Sequence, residues 1–203
     1  IKFLEELGHK AKNKAKEELE DIKAMASKDG ITDFRSSDMS YYSEKLKKEQ
    51  YDLDEEYYRP YFEQQSVLNG FFDFLHQMFN IKFTKANTPA WDEKVKVYDL
   101  SEDGKTIARI YIDLEARKEK RGGAWMNNWH SYYKDSKGKL NLPTAYIVGN
   151  FPQSTEETPS LLRHSDVVTL FHEMGHALHH LLSKIEEPFV SGISGVAWDT
   201  VEF

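Results

Sequence analysis

Cysteine is absent from the 203-residue chain, which excludes a disulfide framework and any zinc site built on thiolates. Long apolar runs are missing too: none approaches the ~20 residues that a membrane-spanning helix needs. No charged and then apolar leader opens the chain, so no membrane partner is expected and a cytoplasmic location fits. A basic stripe is also lacking. Lys and Arg number 27 against 34 Asp and Glu, for a net charge of −7, and the two signs are interleaved, which argues against nucleic acid.

What the chain does contain is a 39% hydrophobic composition, enough for one or two cores, and a change of period along its length. Residues 1–27 keep a helical stripe of Leu4, Ala11, Ala15, Leu19, Ile22 and Ala26, ended by Asp29-Gly30; the Lys and Glu between them read as a solvated face. A second helix begins at Asp38 and carries Tyr41, Tyr42 and Leu46, and residues 67–79, with Leu68, Phe71, Phe72 and Leu75, form a third. Residues 95–100 and 107–114 then alternate around an Asp103-Gly104 turn signal, which predicts a β-hairpin. Residues 145–149 read as a third strand, residues 150–162 as a surface loop, and residues 191–196 as a flexible glycine loop.

The segment Leu114-Glu115-Ala116-Arg117-Lys118-Glu119-Lys120-Arg121-Gly122-Gly123 sets basic residues before paired glycines. It lacks the Gly-Lys-Ser/Thr ending of a phosphate loop, so that signal is weak. His9, His76, His130 and His164 stand singly and read as surface or structural.

The densest chemistry lies in Phe171-His172-Glu173-Met174-Gly175-His176-Ala177-Leu178-His179-His180. On a helix turning about 100° per residue, His176 falls near 40° and Glu173 near 100° from His172. Leu170, Met174, Leu178 and Leu181 lie on the opposite arc. Two imidazoles one turn apart can bind one Zn²⁺ while Glu173 takes a proton from activated water. Ser165 or Asp166 can cap the helix, and Gly175 would let another segment approach it. A third ligand is required. His179 and Leu182 stand where the metzincin pattern needs Gly and His, so a carboxylate further along the chain must serve. His179 lies near the ligand stripe, and a supporting or packing role is favoured for it.

The run from Leu170 to His180, followed by Val190-Ser191-Gly192-Ile193-Ser194-Gly195-Val196-Ala197-Trp198-Asp199-Thr200-Val201-Glu202, resembles the thimet oligopeptidase (M3) family of zinc metallopeptidases. Asp38-Met39-Ser40-Tyr41-Tyr42-Ser43-Glu44-Lys45 and Arg59-Pro60-Tyr61-Phe62 carry the same resemblance. The family usually has Phe at the position of Met174 and Asp-Glu at Ser165-Asp166; neither departure touches a ligand.

The resemblance implies that one Zn²⁺ per chain is held by His172, His176 and Glu202, with Glu173 as general base and short peptides as substrates. It implies an α+β fold of the zincin kind, a small mostly antiparallel sheet packed on the HExxH helix and preceded by a helical region. Residues 1–90 would be part of a larger helical domain, and residues 91–203 a catalytic subdomain cut just after the third ligand. Asp199 would cap the helix that presents Glu202. The strand at residues 145–149 would be an edge able to pair with a peptide backbone. On this reading the chain is a partial piece covering roughly a third of the enzyme. The oxyanion donors, a His and Tyr pair in the family, would come from a C-terminal remainder. Two rival readings stay open: a zinc-binding but catalytically incomplete fragment, and a helical interaction protein with a chance motif.

Overall fold

The computed structural model describes residues 1–52 and 54–202, and the chain divides into two compact units, Ile1–Glu55 and Glu56–Phe203. In the first, α1 (Lys2–Lys28) and α2 (Met39–Tyr51) close on a small core of Met25, Ala26 and Tyr42, flanked by Ile22, Ile31, Phe34 and Leu46. Phe3, Leu4 and Leu7, at the start of α1, are exposed. Asp38 precedes α2, and its carboxylate accepts from the Arg35 amide at 2.8 Å. A short helix, α3 (Glu55–Tyr58), follows.

In the second unit, α4 (Gln64–Phe79) begins three residues earlier than its apolar pattern predicts. The Glu63 carboxylate accepts from the amides of Gln65 and Ser66 at 2.8 and 2.6 Å, satisfying donors that a helix start leaves unpaired. The helix leads into β1 (Ile81–Lys85), then β2 (Lys96–Glu102) and β3 (Lys105–Glu115). Asp103 and Gly104 join the last two with φ of 49° and 76°, the two positive values that a two-residue hairpin turn matched to strand twist requires.

After β3 come β4 (Trp125–His130), the short pair β5 (Tyr133–Lys134) and β6 (Leu140–Asn141), and β7 (Thr144–Phe151). The main sheet has the order β1-β2-β3-β7-β4, and among the described residues only the β3–β7 pairing is parallel. One correction follows: β7 is an interior strand, paired on both sides, and β4 is the edge strand beyond it. Burial explains the choice. Ala145 and Ile147 of β7 are fully covered, whereas β4 carries Asn127 and Asn128, polar side chains of the kind that make an open edge tolerable.

The last helix, α5 (His164–Leu181), lies with α4 on the core face of this sheet. Leu170, Met174, Ala177 and Leu181 meet Ile110, Ile112, Leu114, Ala145 and Ile147, while Leu68, Phe71, Phe72 and Leu75 of α4 complete the core. Each such aliphatic side chain fully buried contributes roughly 1.5–3 kcal/mol. The approach to α5 is not all surface loop, since Leu162 is completely buried and Leu161 bridges Glu63. Among the described residues no helix is long and apolar enough to cross a membrane.

Candidate metal centre

The helix that carries the HExxH run begins at His164, ahead of the Ser165 and Asp166 expected to cap it. Asp166 acts from inside the first turn instead, its Oδ2 accepting from the Arg163 amide at 2.8 Å. From there the 3.6-residue period fixes the faces. Leu170, Met174 and Ala177 are fully buried, and Phe171 stacks on Phe71 with centroids 3.9 Å apart. His172 and His176 are thereby turned to the outer face. Gly175 is exposed and a Cβ there would meet nothing within 4 Å among the described residues, so the close approach expected there is not seen among them; one is seen at Gly192.

The two imidazoles meet at 82° with Nε2 atoms 3.1 Å apart. Glu202 Oε2 lies 3.1 Å from His172 Nε2 and 3.5 Å from His176 Nε2. For bonds of about 2.0–2.1 Å, two ligands on a tetrahedral metal stand about 3.3–3.4 Å apart. The observed triangle fits that spacing, and its donor set of two imidazoles and one carboxylate suits Zn²⁺. The structure thus brings together the three residues expected as ligands.

Glu173, next to His172 in the chain, is 8% exposed, and its carboxylate forms no hydrogen bond among the described residues. Both oxygens are therefore available as acceptors. Glu202 is delivered differently from the expectation: residues 198–202 form a turn rather than a helix, tied by the Thr200 amide donating to the Ala197 carbonyl at 3.0 Å. Asp199 caps nothing among the described residues.

His179 is exposed and outside the triangle, whereas His180 is completely buried. The His180 Nε2–H donates to the carbonyl of His130 at 2.9 Å. Burial pushes its pKa below the ordinary imidazole value, against the opposing effect of the His130 carbonyl. Sequence reasoning missed this residue, since adjacent histidines differ in fate only through what packs on them.

Two cations of the basic stretch before Gly122-Gly123, Arg117 and Lys120, are committed internally. Arg117 grips Asp113 with two bonds of 2.7 Å, and the Lys120 ammonium donates to Asp113 Oδ1 at 3.0 Å and to the Glu115 carbonyl at 2.8 Å. Trp91 Nε1 donates to the same Asp113 carboxylate at 2.8 Å. These cations are spent on a buried acid, so the segment is a pinned turn leading into β4. Gly123 takes a positive φ of 94° there, and Gly122 does not. A cavity of about 640 Å³ lined by Phe79, Ile81, Ile107, Leu140 and Leu181 opens at the far end of α5; none of the three ligand residues lines it.

The sequence pattern of Peptidase family M3 matches residues 1–203. Oligopeptidase A of Salmonella typhimurium is 37% identical over 205 residues, covering 100% of this chain and 30% of that protein. An organellar, chloroplastic/mitochondrial oligopeptidase A of Arabidopsis thaliana is 37% identical, covering 98% of the chain and 26% of the relative. Dipeptidyl carboxypeptidase of Escherichia coli is 36% identical, with 100% and 30% covered. The chain thus spans about a third or less of the length of these relatives.

Proposed function

The chain belongs to peptidase family M3, and on that premise we propose that it carries the metal-binding part of a zinc-dependent endopeptidase acting on short peptides. The observation that supports this most is the convergence of His172 Nε2, His176 Nε2 and Glu202 Oε2, with Glu173 next to His172 on the same helix. The sheet with α5 on its core face is read as a zincin-like core. Residues 91–203 are taken as the catalytic subdomain and residues 1–90 as part of a helical domain.

His172, His176 and Glu202 would hold the ion. When bound, Zn²⁺ supplies Lewis acidity toward a carbonyl and acidifies water to a pKa of about 7. Glu173 does the proton work. Its carboxylate accepts a proton from water as the oxygen adds to the scissile carbonyl carbon, and returns it to the amine nitrogen as the C–N bond breaks. The proton and both new chain ends are then accounted for. An extended peptide would find main-chain partners on the outer edge of β4, one of the two edge strands of the sheet, which gives binding tolerant of sequence.

The second reading, a metal-binding segment that is catalytically incomplete, is favoured by the span of the chain, 30% of the Salmonella relative. Two measurements separate the readings. Zinc content by elemental analysis should approach one ion per chain, and a quenched fluorescent peptide should be cleaved by the whole enzyme. A protein that binds no zinc would overturn both readings. Zinc binding without cleavage by the whole enzyme would leave only the second.

A further inference from the structure

We propose that His180 is a positioning residue: as a neutral hydrogen-bond donor it fixes the end of edge strand β4, and the segment that carries Glu202, against the last turn of α5. Its consequence for the metal rests on the zinc-peptidase reading; the tie itself rests on packing alone.

His180 stands one helical turn after His176 and is completely buried. Its Nε2–H reaches the carbonyl of His130, the last residue of β4, at 2.9 Å. A carbonyl only accepts, so the proton sits on Nε2 and Nδ1 is left bare. That atom has no partner among the described residues, because the backbone of Gly192 lies over it. A Cβ at residue 192 would come within 2.6 Å of Nδ1 and 2.8 Å of the His180 Cα. Beside it Ser191 is also buried, and its hydroxyl lies 3.2 Å from that of Ser183, just past the end of α5.

The segment that begins at Gly192 runs to Glu202. Because Glu202 sits in an exposed turn rather than in a helix, its place over His172 and His176 is set by where that segment docks. The dock is the His180 side chain, and the Nε2–H bond to the His130 carbonyl holds its ring in the orientation against which Gly192 rests. A phenylalanine would fill similar space without stranding a buried lone pair, which is costly. The N–H donated to β4 is therefore what imidazole adds here. One side chain thus relates three parts of the proposed site: the ligand helix, the segment bearing the third ligand, and the strand left open for a peptide.

The test compares His180→Phe, which keeps ring volume without the donor, with His180→Gln, whose amide N–H falls near the place of Nε2. In the metal-free full protein, amide hydrogen exchange should quicken at least about tenfold over residues 125–130 and 191–202 in the Phe variant, with β2, β3 and α4 unchanged. The Gln variant should stay near wild type. Should the Phe variant fail to fold, His180→Asn, whose amide falls short of the His130 carbonyl, takes its place. With zinc, chelator competition should show affinity about 10–100-fold weaker in the Phe variant, and no further loss when the change is made in a Glu202→Ala background. Unchanged exchange in both segments, an equal rise across the whole unit, or an undiminished zinc effect without Glu202 would each overturn the proposal. A wild-type protein that binds no zinc would instead overturn the peptidase reading, and exchange alone would then decide the role of His180.

Discussion

His172 and His176 point their Nε2 atoms at each other across 3.1 Å, with ring planes at 82°. Two lone pairs so placed repel unless a proton or a cation lies between them, and Glu202 Oε2 within 3.5 Å of both adds a negative charge. The arrangement favours a shared cation, which is the physical basis for the predictions about metal.

Replacing Glu202 by Ala removes one corner of the triangle and leaves two neutral donors. Zinc affinity, read by competition with a chromophoric chelator, should fall by more than the roughly 10–100-fold that loss of an outer partner costs. Affinity equal to wild type would show that another group is the third ligand.

Glu173→Gln should behave in the opposite way. The amide preserves shape but accepts no proton, so zinc content should stay near one ion per chain while kcat of the whole enzyme falls at least about 10²–10⁴-fold. Near-normal turnover in the metal-replete variant would assign the base elsewhere.

Residues 1–203 purified alone should bind zinc yet cleave a short peptide at less than a tenth of the kcat/KM of the full-length enzyme. Glu202 lies in an exposed turn, and donors for the oxyanion, each commonly worth ~2.7–4 kcal/mol, are expected from a part of the enzyme outside this chain. Rates within tenfold would refute the argument.

Asp113→Asn should destabilise the sheet by about 3–5 kcal/mol, because it leaves Arg117 and the buried Lys120 ammonium short of their counter-charge. Burial alone would raise the Asp113 pKa, but Arg117, Trp91 and Lys120 together hold it below the ordinary 3.8. Between the lowered folded value and 3.8 the unfolded chain binds more protons than the folded one, so stability falls as pH drops through that window and is intact above it. Denaturant midpoints from pH 7 to 2.5 should show this acid limb in wild type and a weaker one in the Asn variant.

Much of this was legible because it is local. The hairpin followed from Asp103-Gly104 between alternating runs, and the division of α5 into a buried and an outer face followed from the spacing of Leu170, Met174, Leu178 and Leu181. The short strand β1 was passed over because five alternating residues directly after a helix carry little signal. The edge strand β4 was passed over too, because Gly122 and Gly123 just before it dominate the local pattern.

The sequence by itself determined that His172 and His176 share the face of α5 opposite Leu170 and Met174, since a 3.6-residue period needs nothing beyond the helix. It also determined the family, through residues whose order alone carries the likeness. Tertiary structure alone decided that β7 lies inside the sheet and β4 at its edge, that His180 is buried while His179 faces solvent, and that Glu202 meets His172 and His176 from a turn. Each of these depends on partners far away in the chain: β7 on β3, His180 on His130 and Gly192. A strand's two edges and a helix's flanks look alike in sequence until another segment covers one of them.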